Sequence, residues 1–396
     1  MLPMRTEVLV VGAGPTGLAL AAALVRRGVE CLAVDRLAEG ANTSRAAVIH
    51  SNTLEVLEPL GVSARLTAQG HKVPRFSVRA RDRTLLTVRF DGLPTRYPGT
   101  IMLPQDATEA ILLDRLQELG GRVHRPWRVV DLAEDAEGVD AILLAPDGAT
   151  RRLRADYVVG ADGMHSIVRH AARIPFDGST YEQSFLLADV AMEWGLPADE
   201  VCLFFSPQGF VVVAPLPGGR HRIVATMDEA PPEPALGDLQ AILDARGPRG
   251  TARARLREIV WGSRFRVHHR LATRYRAGRL LLAGDAAHVH SPAGGQGMNT
   301  GLVDACVLAD RLADVVAGRR DHRALDEYEL LRRPVAERVL ALSNRMTRMA
   351  TLRHGALRSL RDLGMRMLGR SSAFRHALAM DLSGLSHRVA GSNTRR

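Results

Sequence analysis

The hydrophobic pattern of residues 1–35 predicts a strand, a glycine turn, a buried helix and a second strand. Residues 7–11 (EVLVV) form a short β-branched run, and GAGPTG follows at residues 12–17. The next segment, LALAAALVRRG, is typical of a buried helix that ends at Gly28, and the second strand ends at Asp35. Because the glycine turn interrupts the apolar stretch, we expect neither a secretion signal nor a membrane span here.

Residues 176–263 show a different pattern, in which short apolar runs alternate with turns rich in proline and glycine. The runs SFLLADVAMEW, EVCLFFSPQGFVVVAPLPGG and RHRIVATM predict antiparallel strands, which form a sheet together with residues 75–90. Alternate side chains of a strand face opposite sides, but a turn at residues 206–209 leaves open which side meets a substrate. The residues assigned to one face as substrate contacts are Leu203, Phe205, Val211 and Val213.

The C-terminal part of the chain is predicted to be helical and basic. Between Met346 and Met367, apolar residues recur at helical spacing with arginines between them, which indicates an amphipathic helix packed on the protein. A helix lying on a membrane surface is the alternative. Of the net charge of +10, residues 332–396 contribute 14 arginines against three acidic residues. With no RNA-binding motif or zinc-finger spacing, a nucleic-acid partner is not expected.

The composition allows a large core and gives no sign of a metal or disulfide framework. Of the 396 residues, 46% are hydrophobic and 24% charged, which suffices for one large domain or two sharing a core. The three cysteines, Cys31, Cys202 and Cys306, lie far apart in the sequence. We therefore expect a reducing, cytoplasmic location and neither a disulfide framework nor a metal site.

The first glycine turn has the pattern of a dinucleotide site. Gly12 permits the tight turn, Gly14 lets the backbone approach a pyrophosphate, and Gly17 lets helix pack on strand. Free N–H groups at the helix N-terminus favour the phosphates. Asp35 lies 18 residues beyond Gly17, close to the spacing of the acid that binds ribose hydroxyls. The turn alone does not distinguish FAD from NAD.

Two later segments indicate which cofactor binds. RADYVVGADGMHSIVRHAA places a DG turn at residues 162–163, and LLLAGDAAHVHSPAGGQGMNTGLVDACVLADRL places Gly-Asp at residues 284–285 before a helix. Together with the N-terminal turn, SRAAVIHSNTLEVLEPLGV and LPQDATEAILLDRL, they closely resemble the single-component FAD-dependent aromatic monooxygenases of the para-hydroxybenzoate hydroxylase fold. Within that group the chain is most similar to the aromatic polyketide hydroxylases, over about residues 5–345.

The resemblance implies an α/β fold with three parts. These are a Rossmann-like FAD-binding domain, an inserted antiparallel-sheet substrate domain and a helical C-terminal segment. The expected boundaries are 1–72, 100–175 and 264–331 for the FAD-binding domain, 73–99 and 176–263 for the substrate domain, and 332–396 for the basic C-terminal segment.

The resemblance also implies roles for individual residues. Asp35 and Arg36 would hold the adenosine end of FAD, Gln105 its ribityl or phosphate region, and Asp285 a ribityl hydroxyl. Arg45 beside the flavin and Pro292 beside the site of oxygen reaction are the candidate catalytic residues. Pro292, Ala293 and Gly294 are also candidate substrate contacts. The full predicted cofactor set is Gly12, Gly14, Pro15, Thr16, Gly17, Asp35, Arg36, Arg45, Gln105, Asp162, Gly284, Asp285, Pro292, Gly295, Gly297, Met298 and Asn299.

The sequence departs from the family pattern at two positions. Asn52 replaces a second arginine, and Met298 replaces a common leucine. Both changes are expected to alter packing without abolishing flavin binding. No general base is apparent, and His288 after G-D-A-A fits a structural hydrogen bond.

The expected activity is monooxygenation of a phenolic or polycyclic aromatic small molecule. NAD(P)H would reduce FAD, O₂ would form a flavin C4a-hydroperoxide, and one oxygen atom would pass to the substrate. Baeyer–Villiger insertion and epoxidation stay open, because fold does not determine chemistry. A reductase, or an accessory subunit that only binds FAD, is the other alternative. The protein is expected to be a monomer or homodimer.

Overall fold

The β-branched run near the N-terminus forms a central strand of a mainly parallel sheet. The computed structural model describes residues 2–40, 46–229, 231, 233–352 and 354–388. In this part of the chain the first sheet runs β17-β18-β11-β1-β2-β8, and a hairpin of β9 and β10 joins its strand β11. Its strands are β1 (Arg5–Val11), β2 (Cys31–Val34), β8 (Val123–His124), β9 (Arg128–Glu134), β10 (Val139–Leu144), β11 (Thr150–Gly160), β17 (Arg276–Ala277) and β18 (Leu280–Leu282).

The parallel strands of the first sheet bring four predicted site segments to one edge. Strand β1 pairs in parallel with β2 and β11, and β18 pairs in parallel with β11. Parallel strands end at the same edge of a sheet. The glycine turn after β1, Asp35 after β2, the DG turn after β11 and the Gly-Asp turn after β18 therefore lie together. This is the crevice where ligands bind in open α/β sheets.

The second sheet is mainly antiparallel, as the alternating pattern predicts. Its order in the described residues is β19-β16-β12-β15-β14-β13-β5-β6. Its strands are β5 (Arg75–Ala80), β6 (Arg83–Arg89), β12 (Phe176–Glu193), β13 (Glu200–Ser206), β14 (Gly209–Pro215), β15 (Arg220–Met227), β16 (Arg255–Ala272) and β19 (His288–Val289). A small third sheet, ordered β3-β7-β4, comprises β3 (Val48–Ile49), β4 (His71–Val73) and β7 (Thr100–Met102).

Helices cover both large sheets. The α-helices of the described residues are α1 (Pro15–Arg26), α2 (Ser51–Leu57), α3 (Ser63–Gln69), α4 (Gln105–Glu118), α5 (Ile167–Ala171), α6 (Leu236–Arg246), α7 (Gly297–Val316), α8 (Asp326–Ala350), α9 (Gly355–Leu368) and α10 (Ser372–Leu382). Among them, none combines the length and apolar character needed to cross a bilayer. The predicted α/β architecture with an antiparallel sheet and C-terminal helices is confirmed.

The domain division stays a prediction, but two elements run across its boundaries. Strand β16 continues through residue 264 because it pairs along almost its whole length with β12. Helix α8 begins at Asp326, before the expected start of the C-terminal segment. Strand β19, which follows the Gly-Asp turn, pairs with β16 and so joins the second sheet directly to the predicted flavin segment.

The structure divides the four sheet residues predicted as substrate contacts between two faces of the sheet. Strands β13 and β14 meet in a tight hairpin that pairs Leu203 with Val212 and Phe205 with Phe210. Directly paired residues share a face. Leu203 and Phe205 therefore pack with Phe210 in the cluster that the C-terminal helices cover. Val211 and Val213 do not share that face, contrary to the prediction, because the hairpin resets the alternation and turns them towards α6.

Candidate active site

The glycine turn provides an open anion site at the N-terminus of α1. Gly12 adopts φ +99°, and a Cβ there would lie 2.4 Å from the carbonyl oxygen of Ala161. A Cβ added to Gly14 would meet no protein atom within 4 Å. No side chain caps the helix, whose first turn begins with Pro15. Uncapped N–H groups facing open space are suited to a pyrophosphate, so this turn fits a dinucleotide.

Asp35 is held rigidly at the carboxyl end of β2. Its carboxylate accepts hydrogen bonds from the backbone N–H groups of Ala13, at 2.7 Å, and Leu37, at 2.8 Å. The Arg125 guanidinium lies 3.4 Å from the carboxylate and donates to the carbonyl oxygen of Ala13 at 3.0 Å. These contacts join Asp35 to the glycine turn, which places an acid where the ribose of a dinucleotide binds.

Thr16 lies at a junction between three segments. A Cβ added to Gly284 would lie 2.6 Å from the Thr16 Oγ1, and a Cβ added to Gly301 would lie 2.4 Å from it. Helices α1 and α7 and the Gly-Asp turn therefore approach each other closely around this side chain. Asp285, the next residue of the turn, is exposed at the edge of the crevice.

The DG turn is fastened to its surroundings by its own side chains. The carboxylate of Asp162 accepts a hydrogen bond from the Ile167 N–H at 2.7 Å, and burial raises its pKa. Arg169 donates to the carbonyl oxygens of Met164 and Ala286, at 2.6 and 2.9 Å. The arginine thus connects the DG turn with the residue after Asp285.

The loop from Pro292 to Gln296 is attached to β3 through Asn299. The Nδ2 of Asn299 donates to the carbonyl oxygens of Gly295, at 2.7 Å, and Val48, at 2.8 Å. Its Oδ1 accepts from the His50 N–H at 2.8 Å. The side chain of Asn299 therefore holds the loop next to β3 by hydrogen bonds to both. Helix α7 begins beside it without a side-chain cap, so its N-terminus favours negative charge.

Two neutral histidines flank this loop. The Nε2 of His50 lies 2.9 Å from the carbonyl oxygen of Gly294. The ring of His290 contacts the position that a Cβ on Gly297 would occupy, at 3.7 Å. Burial lowers the pKa of both histidines to about 4. Neither ring carries a positive charge at neutral pH, so the helix dipole is the positive feature next to the loop.

His288, Asp304 and Arg332 form a buried charge cluster that supports the loop. The Nε2 of His288 lies 2.6 Å from one carboxylate oxygen of Asp304, and the Nε of Arg332 donates to the other at 2.6 Å. Burial alone would raise the pKa of Asp304, but Arg332 and His288 outweigh it and lower the pKa. His288 thus makes the structural hydrogen bond that its position after G-D-A-A indicates, here to a side chain.

Arg222 connects the second sheet with the segment before β3. It forms a bidentate pair with Asp189, its cross-strand neighbour, at 2.7 and 2.8 Å. Its third nitrogen donates to the carbonyl oxygen of Ala46 at 2.8 Å. The N–H of Ala46 donates to the Oε1 of Gln105 at 3.2 Å. Gln105 therefore holds the backbone directly after Arg45, which lies outside the described residues.

The other side of the loop is apolar. Leu382 Cδ2 and Met346 Sδ lie 3.7 and 3.8 Å from the position of a Cβ on Gly294. Both residues belong to the cluster that contains Phe205 and Phe210. The loop therefore has the flavin-type segments on one side and an aromatic sheet face with the C-terminal helices on the other.

Comparison with known proteins agrees with this arrangement. Residues 5–343 match the family model described as "FAD binding domain". 6-Methylpretetramide 4-monooxygenase of Streptomyces rimosus is 38% identical over 98% of this chain and 70% of its own length. Pentachlorophenol 4-monooxygenase of Sphingobium chlorophenolicum is 35% identical over 84% of this chain and 63% of its own. The chain belongs to the FAD-dependent aromatic monooxygenases.

Solved structures agree with this family. OxyS anhydrotetracycline hydroxylase from Streptomyces rimosus superposes with a TM-score of 0.80 at 31% identity, over 99% of this chain and 78% of that one. CabE, an aromatic hydroxylase from angucycline biosynthesis, gives 0.79 at 32% identity, over 97% and 77%. The monooxygenase described here accordingly uses FAD, with NAD(P)H and O₂ as co-substrates.

The crevice of this monooxygenase gathers most of the residues singled out in the sequence, whose individual roles stay predictions. Other residues that shape it have little sequence signal. Arg125 stands in no motif, and His50 lies within the segment SRAAVIHSNTLEVLEPLGV but was not singled out there. Asp189 and Arg222 leave one trace, since each charge adjoins a run of apolar residues in its strand, LLADVAM for Asp189 and RIVA for Arg222. Such charges are retained in a buried sheet when they pair across strands.

Replacing Arg222 with lysine should loosen the segment before β3. A lysine keeps the charge but cannot hold Asp189 with two parallel hydrogen bonds and also reach Ala46. We expect the free energy of unfolding to fall by about 1–3 kcal/mol, and the affinity of the monooxygenase for FAD to fall as well. Urea unfolding and FAD fluorescence titration measure the two effects. Arg220→Lys on the same strand is the control, since the Arg220 side chain donates a single long hydrogen bond within the described residues, to the Pro217 carbonyl at 3.5 Å. Equal losses in both variants would contradict the assignment.

Proposed function

We propose that this monooxygenase hydroxylates a flat, phenolic, polycyclic aromatic molecule of the polyketide type. The observation that carries the proposal is the apolar, aromatic face opposite the Pro292–Gln296 loop, where Phe205 and Phe210 pack with Met346 and Leu382. Such a face suits a large ring system better than a small carboxylate. The names of its relatives, which include a pretetramide monooxygenase and an anhydrotetracycline hydroxylase, support the same substrate class.

The residues of the chain divide the work of binding FAD. The N–H groups after Gly12 bind the pyrophosphate, Asp35 the adenosine ribose and Asp285 the ribityl chain. The uncapped N-terminus of α7 would stabilise negative charge on a flavin bound beside it. When bound, FAD would supply the redox chemistry by which electrons from NAD(P)H activate O₂, with one oxygen atom going to the substrate and the other to water.

The loop and the sheet face orient the substrate and exclude water. Pro292 forms the wall between cofactor and substrate, and Ala293 and Gly294 present backbone to the ring system. Leu203 and Phe205 contribute the sheet side of the pocket. Because burial lowers the pKa of His50 and His290 to about 4, neither ring adds a positive charge to that of the helix N-terminus beside the loop.

The function is tested by flavin spectroscopy followed by product analysis. The purified protein should be yellow, and NAD(P)H should bleach it without oxygen. With polycyclic phenols, NAD(P)H consumption should rise and the product should gain one oxygen atom by mass spectrometry. A ring hydroxyl in the product supports the proposal. An ester or an epoxide as the product would instead indicate Baeyer–Villiger insertion or epoxidation. Failure to detect an oxygenated product from any aromatic class would overturn the proposal.

Asp285→Ala should weaken FAD retention without unfolding the protein. Loss of a hydrogen bond to the ribityl chain is expected to raise the FAD dissociation constant by about fivefold to tenfold. Fluorescence titration of the flavin-free protein measures this change. Asp147→Ala, at an exposed turn of the first domain, is the control and should bind FAD normally. Unchanged affinity in Asp285→Ala would refute the assignment of Asp285.

A further inference from the structure

Helix α9 carries an apolar face that the rest of the described chain leaves uncovered. Ten large apolar side chains are exposed in the described residues, and half of them lie on this helix of 14 residues. Leu360 and Met367 are the most exposed of the five, at 66% and 64%. The residues of this apolar stripe are Leu357, Leu360, Leu363, Met367 and Leu368.

The apolar stripe is a continuous helical surface. Leu357, Leu360, Leu363 and Met367 follow one another at three- and four-residue intervals, so their side chains line one face of α9, and Leu368 lies at the border of that face. The opposite face packs against the second sheet: Met365 joins the sheet cluster, and the guanidinium of Arg361 lies 4.0 Å from the ring of Phe205. The fold of the sheet is therefore complete without any partner for the stripe.

A basic pocket lies directly beside the apolar stripe. It measures about 450 Å³ and is formed by the end of α9, the turn after it and the edge strand β6. Four arginines line it: Arg89, Arg366, Arg370 and Arg375. Among the described residues, Arg366 and Arg370 have no carboxylate partner within ion-pair distance. Two uncompensated guanidinium groups next to exposed leucines form an amphipathic surface.

We propose that the apolar stripe and the basic pocket dock this protein on an anionic lipid surface. The leucines would enter the boundary between headgroups and acyl chains, and the arginines would bind lipid phosphates, as in helices that lie in the membrane interface. Charge favours this partner over a second copy of the chain, because a twofold contact through α9 would bring the same arginines together. The net positive charge of the segment from residue 332, with 14 arginines and three acidic residues, also favours an anionic partner.

Vesicle flotation of the full chain with bound FAD tests the proposal. Vesicles of phosphatidylcholine alone are compared with an equal mixture of phosphatidylcholine and phosphatidylglycerol. The protein should float only with the mixture, and added salt should weaken binding. The double variant Leu360→Ser/Met367→Ser should reduce the bound fraction by about tenfold or more. Leu330→Ser, which changes a leucine of α8 that is 74% exposed, should not.

Two further double variants test whether binding to the anionic vesicles requires the arginines of the basic pocket. Arg366→Gln/Arg370→Gln should abolish the preference for phosphatidylglycerol. Arg5→Gln/Arg152→Gln removes the same charge from exposed sites on the first sheet and should leave the preference intact. FAD content and the unfolding midpoint of each variant show whether it is folded.

Three results would overturn the proposal. The first is no binding of the parent protein to the mixed vesicles at low salt. The second is binding that the stripe variant retains in full. The third is a dimer in light scattering that Leu360→Ser/Met367→Ser dissociates while vesicles do not bind, which would assign the stripe to a second copy. Hydroxylation of a dissolved substrate is measured without vesicles, so failure here is separate from failure of the proposed function.

Discussion

Asp304→Ala is expected to lower the free energy of unfolding by about 3–5 kcal/mol, because it leaves a buried arginine without its counter-charge. Asp304 is fully buried and Arg332 is 2% exposed. The Nε of Arg332 lies 2.6 Å from the Oδ1 of Asp304. His288 loses its partner at the same time. FAD content should also fall, since the cluster lies between α7, α8 and the segment after Asp285. Urea unfolding and the flavin-to-protein ratio measure the two effects.

Asp310→Ala on the same helix is the matched control. Asp310 pairs with Arg27 at the surface and its side chain is 52% exposed, so its loss should cost at most about 1 kcal/mol. Replacing the cluster by apolar residues, as in Asp304→Leu/Arg332→Met, should recover part of the stability, because no buried charge is then unpaired. Similar losses for Asp304→Ala and Asp310→Ala would show that the cluster contributes little.

The same cluster has a consequence for the dependence of stability on pH. The pKa of Asp304 is lower in the folded protein than in the unfolded chain. Its stabilising contribution is therefore present above the unfolded pKa and is lost as pH falls through the folded pKa. The free energy of unfolding of Asp304→Ala should accordingly fall less steeply at acid pH than that of the parent protein.

Gly17→Ala should prevent the formation of the FAD site and destabilise the fold by about 3 kcal/mol or more. A Cβ at this position would lie 1.9 Å from the carbonyl oxygen of Gly12 and 2.9 Å from the carbonyl carbon of the same residue. Both are backbone atoms of the turn after β1, so α1 must move away from the strand. Thermal unfolding and FAD titration of the purified variant measure the damage.

Gly14→Ala, in the same turn, should weaken FAD binding without destabilising the fold. No protein atom lies within 4 Å of the added Cβ, and Gly14 has φ −75°, which alanine adopts freely. Without FAD, the stability of this variant should equal that of the parent protein. Affinity for FAD should fall on the order of a hundredfold, because the methyl group enters the space of the pyrophosphate. Normal FAD binding would show that the phosphates do not lie at Gly14.

Most of the cofactor crevice is predictable because its segments are local. Each is a strand followed by a turn and a helix, so a short run of residues specifies both the conformation and the chemistry. The parallel order of β2, β1, β11 and β18 then brings these turns to one edge. The family resemblance, extending over most of the chain, supplied the order of the segments that periodicity alone does not provide.

The substrate side is less predictable because it depends on contacts between distant segments. Val211 and Val213 were predicted to share a face with Leu203 and Phe205 but do not, because one two-residue turn decides the alternation of a whole strand. The approach of Met346 and Leu382 to Gly294 joins elements about 50 to 90 residues apart, with no local signal of the contact.

The local pattern of the chain determined that it has a dinucleotide turn, an antiparallel sheet and an amphipathic C-terminal helix, since periodicity and turn residues act over a few positions. The tertiary structure alone decided which charges are buried together and which apolar face stays open. Arg332 and Arg366 look alike in the sequence, yet one is fully paired with Asp304 and the other lines an exposed basic pocket. The difference arises because burial and pairing depend on what the rest of the chain places against each residue.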